Sequence, residues 1–262
     1  MRKISLDNLN SLFSAVKSEM RLYLPVDTKG GAKFEEWSED KKMSEALNTI
    51  RSAKDLFFPQ TENLMDFKIE GKNIEIIDTR KECEDFVVFG VRACDVRSLD
   101  VLDKVFLAEP VDSYYKNRRD HGIIVSLACN KPAETCFCSA FGIDSSDPKG
   151  DVQCFKSETE LFLNALTEKG EKLLKAVENV TEPAKEADVT PVKAEIKERM
   201  KKLPLSHLKT DSFGAGKTKE FFDDPAWAEL SESCLGCGTC TFVCPTCQCY
   251  DIKDFNTGRG VK

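Results

Sequence analysis

The chain has 262 residues, 41% of them hydrophobic, which is enough to close a core without the help of disulfides. Its 38 basic and 45 acidic residues give a net charge of −7, which argues against nucleic acid as a partner. No apolar run approaches the length of about 18 residues that a membrane span needs, and the first twenty residues carry no signal-peptide pattern. We therefore expect a cytoplasmic protein whose twelve cysteines stay reduced, the clustered ones to bind metal or do redox work.

The first half of the chain predicts helices followed by strands. Residues 1–58 place apolar side chains at helical spacing and predict helices joined by loops. Short runs rich in Val, Ile and Phe at 73–78, 85–91 and 122–128 predict strands. Between the last two runs lies an amphipathic stretch that predicts a helix with Asp95 as its N-cap. Strand, helix and strand together indicate a βαβ unit.

The second half predicts further strands and then a change of composition. Residues 152–156 and 160–166 predict strands, and a helical pattern follows them. Residues 178–204 read as a linker and then a charged, exposed helix. We expect an α/β or α+β N-terminal domain joined to a ferredoxin-like 4Fe-4S segment. The expected divisions are 1–180 for the domain, 181–220 for the linker and charged helix, and 221–262 for the ferredoxin-like segment.

Six cysteines lie close together near the end of the sequence. The spacing C-x2-C-x2-C-x3-C-P, which bacterial ferredoxins use to hold 4Fe-4S clusters, is made here by Cys234, Cys237, Cys240 and Cys244. Two-residue gaps let a tight loop bring three thiolates to one face of a cube, and Gly236 and Gly238 let backbone N–H groups approach the sulfurs. A zinc site is the alternative, but zinc knuckles usually pair two C-x2-C units across a longer gap. The spacing favours iron and sulfide.

The fourth ligand of this cluster is left open by the sequence. In two-cluster ferredoxins the fourth cysteine of the run usually binds the other cluster, and a second run of that kind is absent from these 262 residues. Either Cys247, Cys249 or a partner chain completes the ligation, or the sequence is a truncated piece.

Four more cysteines fall at or after the ends of predicted strands. Cys94 follows the strand at 85–91, Cys129 follows the strand at 122–128, and the next loop holds Cys136 and Cys138. If the two strands are parallel, both chains leave at the carboxyl edge of the sheet, where open α/β folds place their ligands. Four thiols there suit a second 4Fe-4S cluster, a structural zinc site, or separate reduced cysteines, and their spacing does not decide among these.

Several motifs together resemble a known family. They are F-F-P-Q-T-E at 57–62, G-V-R-A-C-D at 90–95, Y-x-x-R-R at 115–119, C-x6-C-F-C at 129–138 and the C-terminal cysteine run. From about residue 50 to 252 the sequence resembles the iron–sulfur subunit that sulfhydrogenases, as their beta subunit, share with anaerobic sulfite reductases. Members of that family continue into a second ferredoxin run.

The resemblance implies a function and a set of partners. It implies an electron-transfer subunit of a hetero-oligomer, which relays electrons between a flavin- and NAD(P)H-binding subunit and a catalytic subunit through several 4Fe-4S clusters. It also implies that a cluster is held by Cys94, Cys129, Cys136 and Cys138. Two other hypotheses are a zinc-bound structural scaffold without a redox role, and a flavin site in the N-terminal domain, which no G-x-G-x-x-G fingerprint supports.

Residues outside these sets carry weaker expectations. Cys83 and Cys154 fit no cluster pattern, and we expect buried or incidental thiols. Arg118 and Arg119, next to Asp120, are expected to form ordinary solvated salt bridges.

Overall fold

An eight-stranded sheet organises the protein, whose computed structural model describes residues 1–79 and 83–255. In chain order, the strands are β1 (Arg2–Ser5), β2 (Arg21–Thr28), β3 (Gly31–Glu36), β4 (Met65–Glu70), β5 (Asn73–Asp78), β6 (Phe86–Val91), β7 (Gly122–Leu127), β8 (Val152–Lys156), β9 (Glu160–Ala165) and β10 (Glu182–Pro183). The helices are α1 (Leu9–Glu19), α2 (Lys54–Phe57), α3 (Ala93–Phe106), α4 (Ser113–His121), α5 (Glu168–Ala176), α6 (Glu186–Lys201), α7 (Ala226–Ser231) and α8 (Thr239–Val243).

The centre of the sheet is parallel and its flanks are antiparallel. The strand order is β10-β1-β9-β8-β7-β6-β2-β3, and the three pairs that join β8, β7, β6 and β2 are parallel. Every residue of β6 and β7 is buried, as expected for parallel strands covered on both faces. The predicted βαβ unit is confirmed, because α3 connects β6 to β7 through α4.

Helices cover both faces of this sheet. On one face, α1 and α5 pack against the side chains of Val87, Phe89 and Val125. On the other, α2, α3 and α4 pack around Val88 and Ile124. The alternation of Val87 and Val88 between two cores follows from the period of two along a strand.

The prediction for residues 1–58 is wrong in part. Only α1 and the short α2 are α-helices there, whereas residues 21–36 form the hairpin of β2 and β3. Leu22 and Leu24 are both 0% exposed because β2 lies between β6 and β3, inside the sheet. Pro25 lies against Gly90 of β6, where an added Cβ would be 3.2 Å from the proline ring and where the φ of +86° also favours glycine.

Three other elements differ in detail from expectation. The strand predicted at 73–78 is observed, but it pairs with β4 in a separate, largely exposed hairpin. Arg92, not Asp95, is the N-cap of α3, and Asp95 lies in its first turn. Helix α6 forms where a charged, exposed helix was predicted, yet it buries Val189, Ile196 and Met200 against side chains of β8 and β9. In the described ranges, no helix has the length and apolarity needed to cross a membrane.

Candidate metal centre

The upstream cysteines meet at the carboxyl edge of the central strands. Because β6 and β7 are parallel, Cys94 and Cys129 follow their strands at the same edge of the sheet, as predicted. Cys94 lies in the first turn of α3.

All four upstream thiols lie close enough to influence one another. A hydrogen bond between Cys94 and Cys138 raises the pKa of Cys94 and lowers that of Cys138. Burial raises the pKa of Cys129 to about 11, and neighbouring Cys94 and Cys136 act in the same direction. Cys94 thus lies beside Cys138, and Cys129 lies within electrostatic reach of Cys94 and Cys136. Whether they bind a metal together stays a prediction.

The four upstream cysteines suit a metal group by the type of their donor atoms, not by an arrangement around one point. Within residues 1–79 and 83–255, no three His, Cys, Asp or Glu side chains close around a common point in the way that a metal ion requires. Four neighbouring thiols are nevertheless the donor set of iron–sulfur clusters. The Cys129 N–H donates to the Ser145 carbonyl at 3.1 Å, and the buried Ser145 Oγ has no hydrogen-bond partner in the described part of the chain. Such a hydroxyl suits a sulfur acceptor.

The C-terminal cysteines lie on loops shaped by two glycines. Gly236 and Gly238 have φ values of +67° and +74°, and α8 begins directly after Gly238. The Gly236 N–H points at the Cys234 Sγ, 3.4 Å away, so one backbone approach to sulfur predicted from the sequence is present. A hydrogen bond with the Thr239 hydroxyl lowers the pKa of Cys237. These thiols are exposed and match the ligand set of a cluster in type and spacing.

Cys244 and Cys247 form a second thiol pair at the end of the run. Burial acts to raise the pKa of Cys244, but hydrogen bonds from Thr246 and Cys247 outweigh it and lower that pKa to about 7. Cys247 and Cys249 line a cavity of about 640 Å³ together with residues of the F-F-P-Q-T-E motif. The structure thus places the two cysteines whose role the sequence left open against a motif of the N-terminal domain.

Residues 51–58 provide the surface on which the cysteine segment rests. Lys54 Nζ donates to the carbonyl oxygens of Cys244 and Cys247, at 2.8 and 3.1 Å. The Arg51 guanidinium lies 5.4 Å from the centre of the Phe242 ring, and Phe58 contacts Tyr250 edge-on at 6.1 Å. Sequence reasoning missed Lys54, and the only signal near it was the motif that starts at Phe57.

One upstream cysteine borders the same space as the end of the ferredoxin-like run. Cys94 and Asp95, at the start of α3, line a cavity of about 260 Å³ whose other side includes Val243 and Pro245. These two residues flank Cys244 in the chain. Cys94 and the end of the ferredoxin-like run are therefore neighbours in the folded protein.

The other residues with a sequence-based expectation lie outside the two cysteine sets. Cys154 is fully buried in β8, as expected, and Cys83 is half-buried. Arg119 pairs with both Asp103 oxygens at 2.8 Å, and Arg118 pairs with Glu62. Both pairs are partly buried and join separate elements, so they are more than the solvated salt bridges that we expected.

Comparison with known proteins shows which kind of domain the cysteine-rich end of the chain resembles. Residues 233–262 match the family model of the 4Fe-4S dicluster domain, which makes the chain an iron–sulfur protein. Over 253 residues it is 30% identical to sulfhydrogenase 2 subunit beta of Pyrococcus furiosus, an alignment that covers 96% of this chain and 73% of the relative. The chain belongs to the family of sulfhydrogenase beta subunits.

These findings confirm part of the sequence analysis. The family resemblance, the α/β region followed by a dicluster domain, and 4Fe-4S clusters as the cofactor are all borne out. The matches do not distinguish individual cysteines, so the two ligand sets remain predictions.

Proposed function

We propose that this protein relays electrons between a flavin- and NAD(P)H-binding subunit and a catalytic oxidoreductase subunit of a hetero-oligomer in the cytoplasm. A bound 4Fe-4S cluster supplies reversible one-electron chemistry at a potential that its surroundings set. In this proposal, one cluster is held by Cys94, Cys129, Cys136 and Cys138. The C-terminal ligands are Cys234, Cys237, Cys240 and Cys244, the last of which is free to serve a neighbouring cluster.

The observation that carries the proposal is a cavity lined by Cys94 and by the two residues that flank Cys244 in the chain. Electron relay requires successive centres to be neighbours, and Cys94 faces the same space as Val243 and Pro245. Membership of a family whose relative is a hydrogenase subunit supports the same function. Zinc binding alone would not require the two sites to adjoin.

The exposed end of the protein supports partner binding. Leu235, next to Cys234, is 94% exposed, and Trp227, Leu230 and Phe242 are each about half exposed or more. Apolar side chains grouped in this way mark interaction surfaces. A partner that covers them would come close to the C-terminal thiols.

Electron paramagnetic resonance of the anaerobically purified chain tests the proposal. On stepwise reduction, we expect two iron–sulfur signals that broaden each other because the centres are neighbours. A Cys94→Ser variant should keep the C-terminal signal and lose the broadening. Colourless protein that contains zinc and gives no signal after reduction would contradict the proposed function.

A further inference from the structure

Lys54 is a buried lysine whose ammonium group reaches the cysteine run. Its residue is only 6% exposed, although it belongs to the short helix α2 in the N-terminal domain. The Nζ atom donates to the carbonyl oxygens of Cys244 and Cys247, 190 and 193 residues away in sequence. In the described part of the chain these carbonyls are its hydrogen-bond acceptors, and the adjacent carboxylate of Asp55 is paired with Arg51.

Among the residues that the structure describes, no ion pair includes the Lys54 ammonium. The carboxylates that line its cavity are engaged elsewhere: Glu62 with Arg118, Asp251 with Lys253, and Asp112 with the N-terminus of α4. Two neutral carbonyls satisfy two of the three N–H donors of Lys54 but neutralise none of its charge. Removing a charge from water is strongly unfavourable unless an opposite charge or a metal group balances it. The buried charge of Lys54 therefore points to an anionic group nearby.

The proposed C-terminal cluster supplies that anionic group, because Lys54 donates to the carbonyl of Cys244, one of the proposed ligands. Lys54, Cys247 and Cys249 line one cavity of about 640 Å³, and the carbonyl of Cys244 is one of the two acceptors. A cluster held by four thiolates is negatively charged, and one-electron reduction makes it more negative. A fixed positive charge close to a cluster stabilises the reduced form of that cluster more than the oxidised form.

We propose that Lys54 is a positioning residue that holds the Cys244–Cys247 turn on the N-terminal domain and raises the reduction potential of the iron–sulfur centre there. The inference rests on the proposed function, since it needs iron–sulfur ligation by the C-terminal cysteines. It goes beyond that function because it assigns the control of the potential to a residue outside the cysteine motifs.

Two substitutions separate the charge from the hydrogen bonds. Lys54→Gln retains an N–H donor for the carbonyls and removes the charge, whereas Lys54→Arg retains both. Lys169→Gln is a matched control, because Lys169 Nζ also donates to two backbone carbonyls, those of Arg119 and Gly122, at 2.7 and 3.1 Å. The charged groups that act on Lys169 are Asp151, Arg119, Asp120 and Asp85, with no cysteine among them.

The experiment measures iron and sulfide first and then reduction potentials by titration with paramagnetic resonance detection. We expect Lys54→Gln to keep its iron and to shift the reduction equilibrium of one centre by about tenfold, which is a potential about 59 mV lower for a one-electron couple. Lys54→Arg and Lys169→Gln should leave all potentials at the wild-type values.

Every other result of this experiment decides either the role of Lys54 or the proposed function. Unchanged potentials in iron-loaded Lys54→Gln, or an equal shift in Lys169→Gln, would overturn the role of Lys54 and leave the proposed function standing. Iron-free wild-type protein would instead refute the proposed function. If Lys54→Gln loses iron, Lys54→Arg decides: wild-type iron content and potentials support the role of the charge, and loss of iron there as well refutes it.

Discussion

Cys129 and Cys154 offer a matched test of the upstream centre. They lie on neighbouring strands or just beyond them, since Ala128 donates its N–H to the Cys154 carbonyl at 2.9 Å. Their exposures are 7% and 0%, so both thiols are buried. Cys129 is a predicted ligand and Cys154 is not. Replacing each with serine therefore changes the same atom in similar surroundings, with different consequences for iron.

The structure sets the expected magnitudes. A buried hydroxyl without a partner lowers the unfolding free energy by about 1–3 kcal/mol. Against a typical total of about 5–15 kcal/mol, Cys154→Ser should stay folded and keep all its iron. Cys129→Ser should lose about four irons and about four sulfides per chain, because one cluster loses a ligand.

The assay combines colorimetric iron and sulfide determination on anaerobic protein with urea unfolding. Equal iron content in Cys129→Ser and wild type would refute the upstream ligand set. Equal iron loss in Cys154→Ser would show that general destabilisation, rather than ligand removal, releases the iron.

Two further predictions concern the domain that supports the centres. Phe57→Ala should lower the unfolding free energy by about 3–5 kcal/mol, because Phe57 is 0% exposed. The control Phe222→Ala, at a side chain that is 81% exposed, should change the unfolding free energy by less than about 0.5 kcal/mol. Equal effects of the two substitutions in urea unfolding would contradict the assigned core. Burial acts to raise the pKa of Asp103, but hydrogen bonds from Arg119 and Tyr115 outweigh it and lower that pKa. Wild type should therefore have a higher unfolding free energy than Asp103→Asn, and the full difference should be present above about pH 4, the ordinary pKa of an aspartate. The difference should vanish as the pH falls through the lowered pKa of Asp103. A difference in urea midpoint that grows toward low pH would show the opposite sign and refute this pairing.

The sheet was predictable where its strands are fully buried. The runs that became β6 and β7 are continuous stretches of Val, Ile and Phe, which is how parallel strands covered on both faces read. Strand β2 has Arg21, Pro25 and Asp27 among its apolar residues, so its period of two was hidden. Its place in the sheet depends on parallel pairing with β6, which begins only at Phe86, far along the chain.

The cysteines were predictable to different degrees. The spacing from Cys234 to Cys244 is local and is read directly from the sequence. The proximity of Cys94 and Cys129 followed from topology, because parallel strands end at one edge. Lys54 contacts Cys244 across 190 residues, and a contact of that kind leaves no pattern in a single sequence.

Helix α6 shows why a charged segment can still belong to a core. Half of its residues are charged, but Val189, Ile196 and Met200 recur at intervals of seven and four and therefore share one face. That face packs against Phe155 and Phe162 of the sheet. Composition alone indicated the solvent-exposed face, and the three buried residues became visible only in the structure.

Binding of two clusters is tested by counting iron and acid-labile sulfide per chain in freshly prepared, oxygen-protected protein. We expect brown protein with at least about eight irons and eight sulfides, which corresponds to one 4Fe-4S cluster for each cysteine set. Colourless protein that holds zinc and no labile sulfide would contradict this expectation.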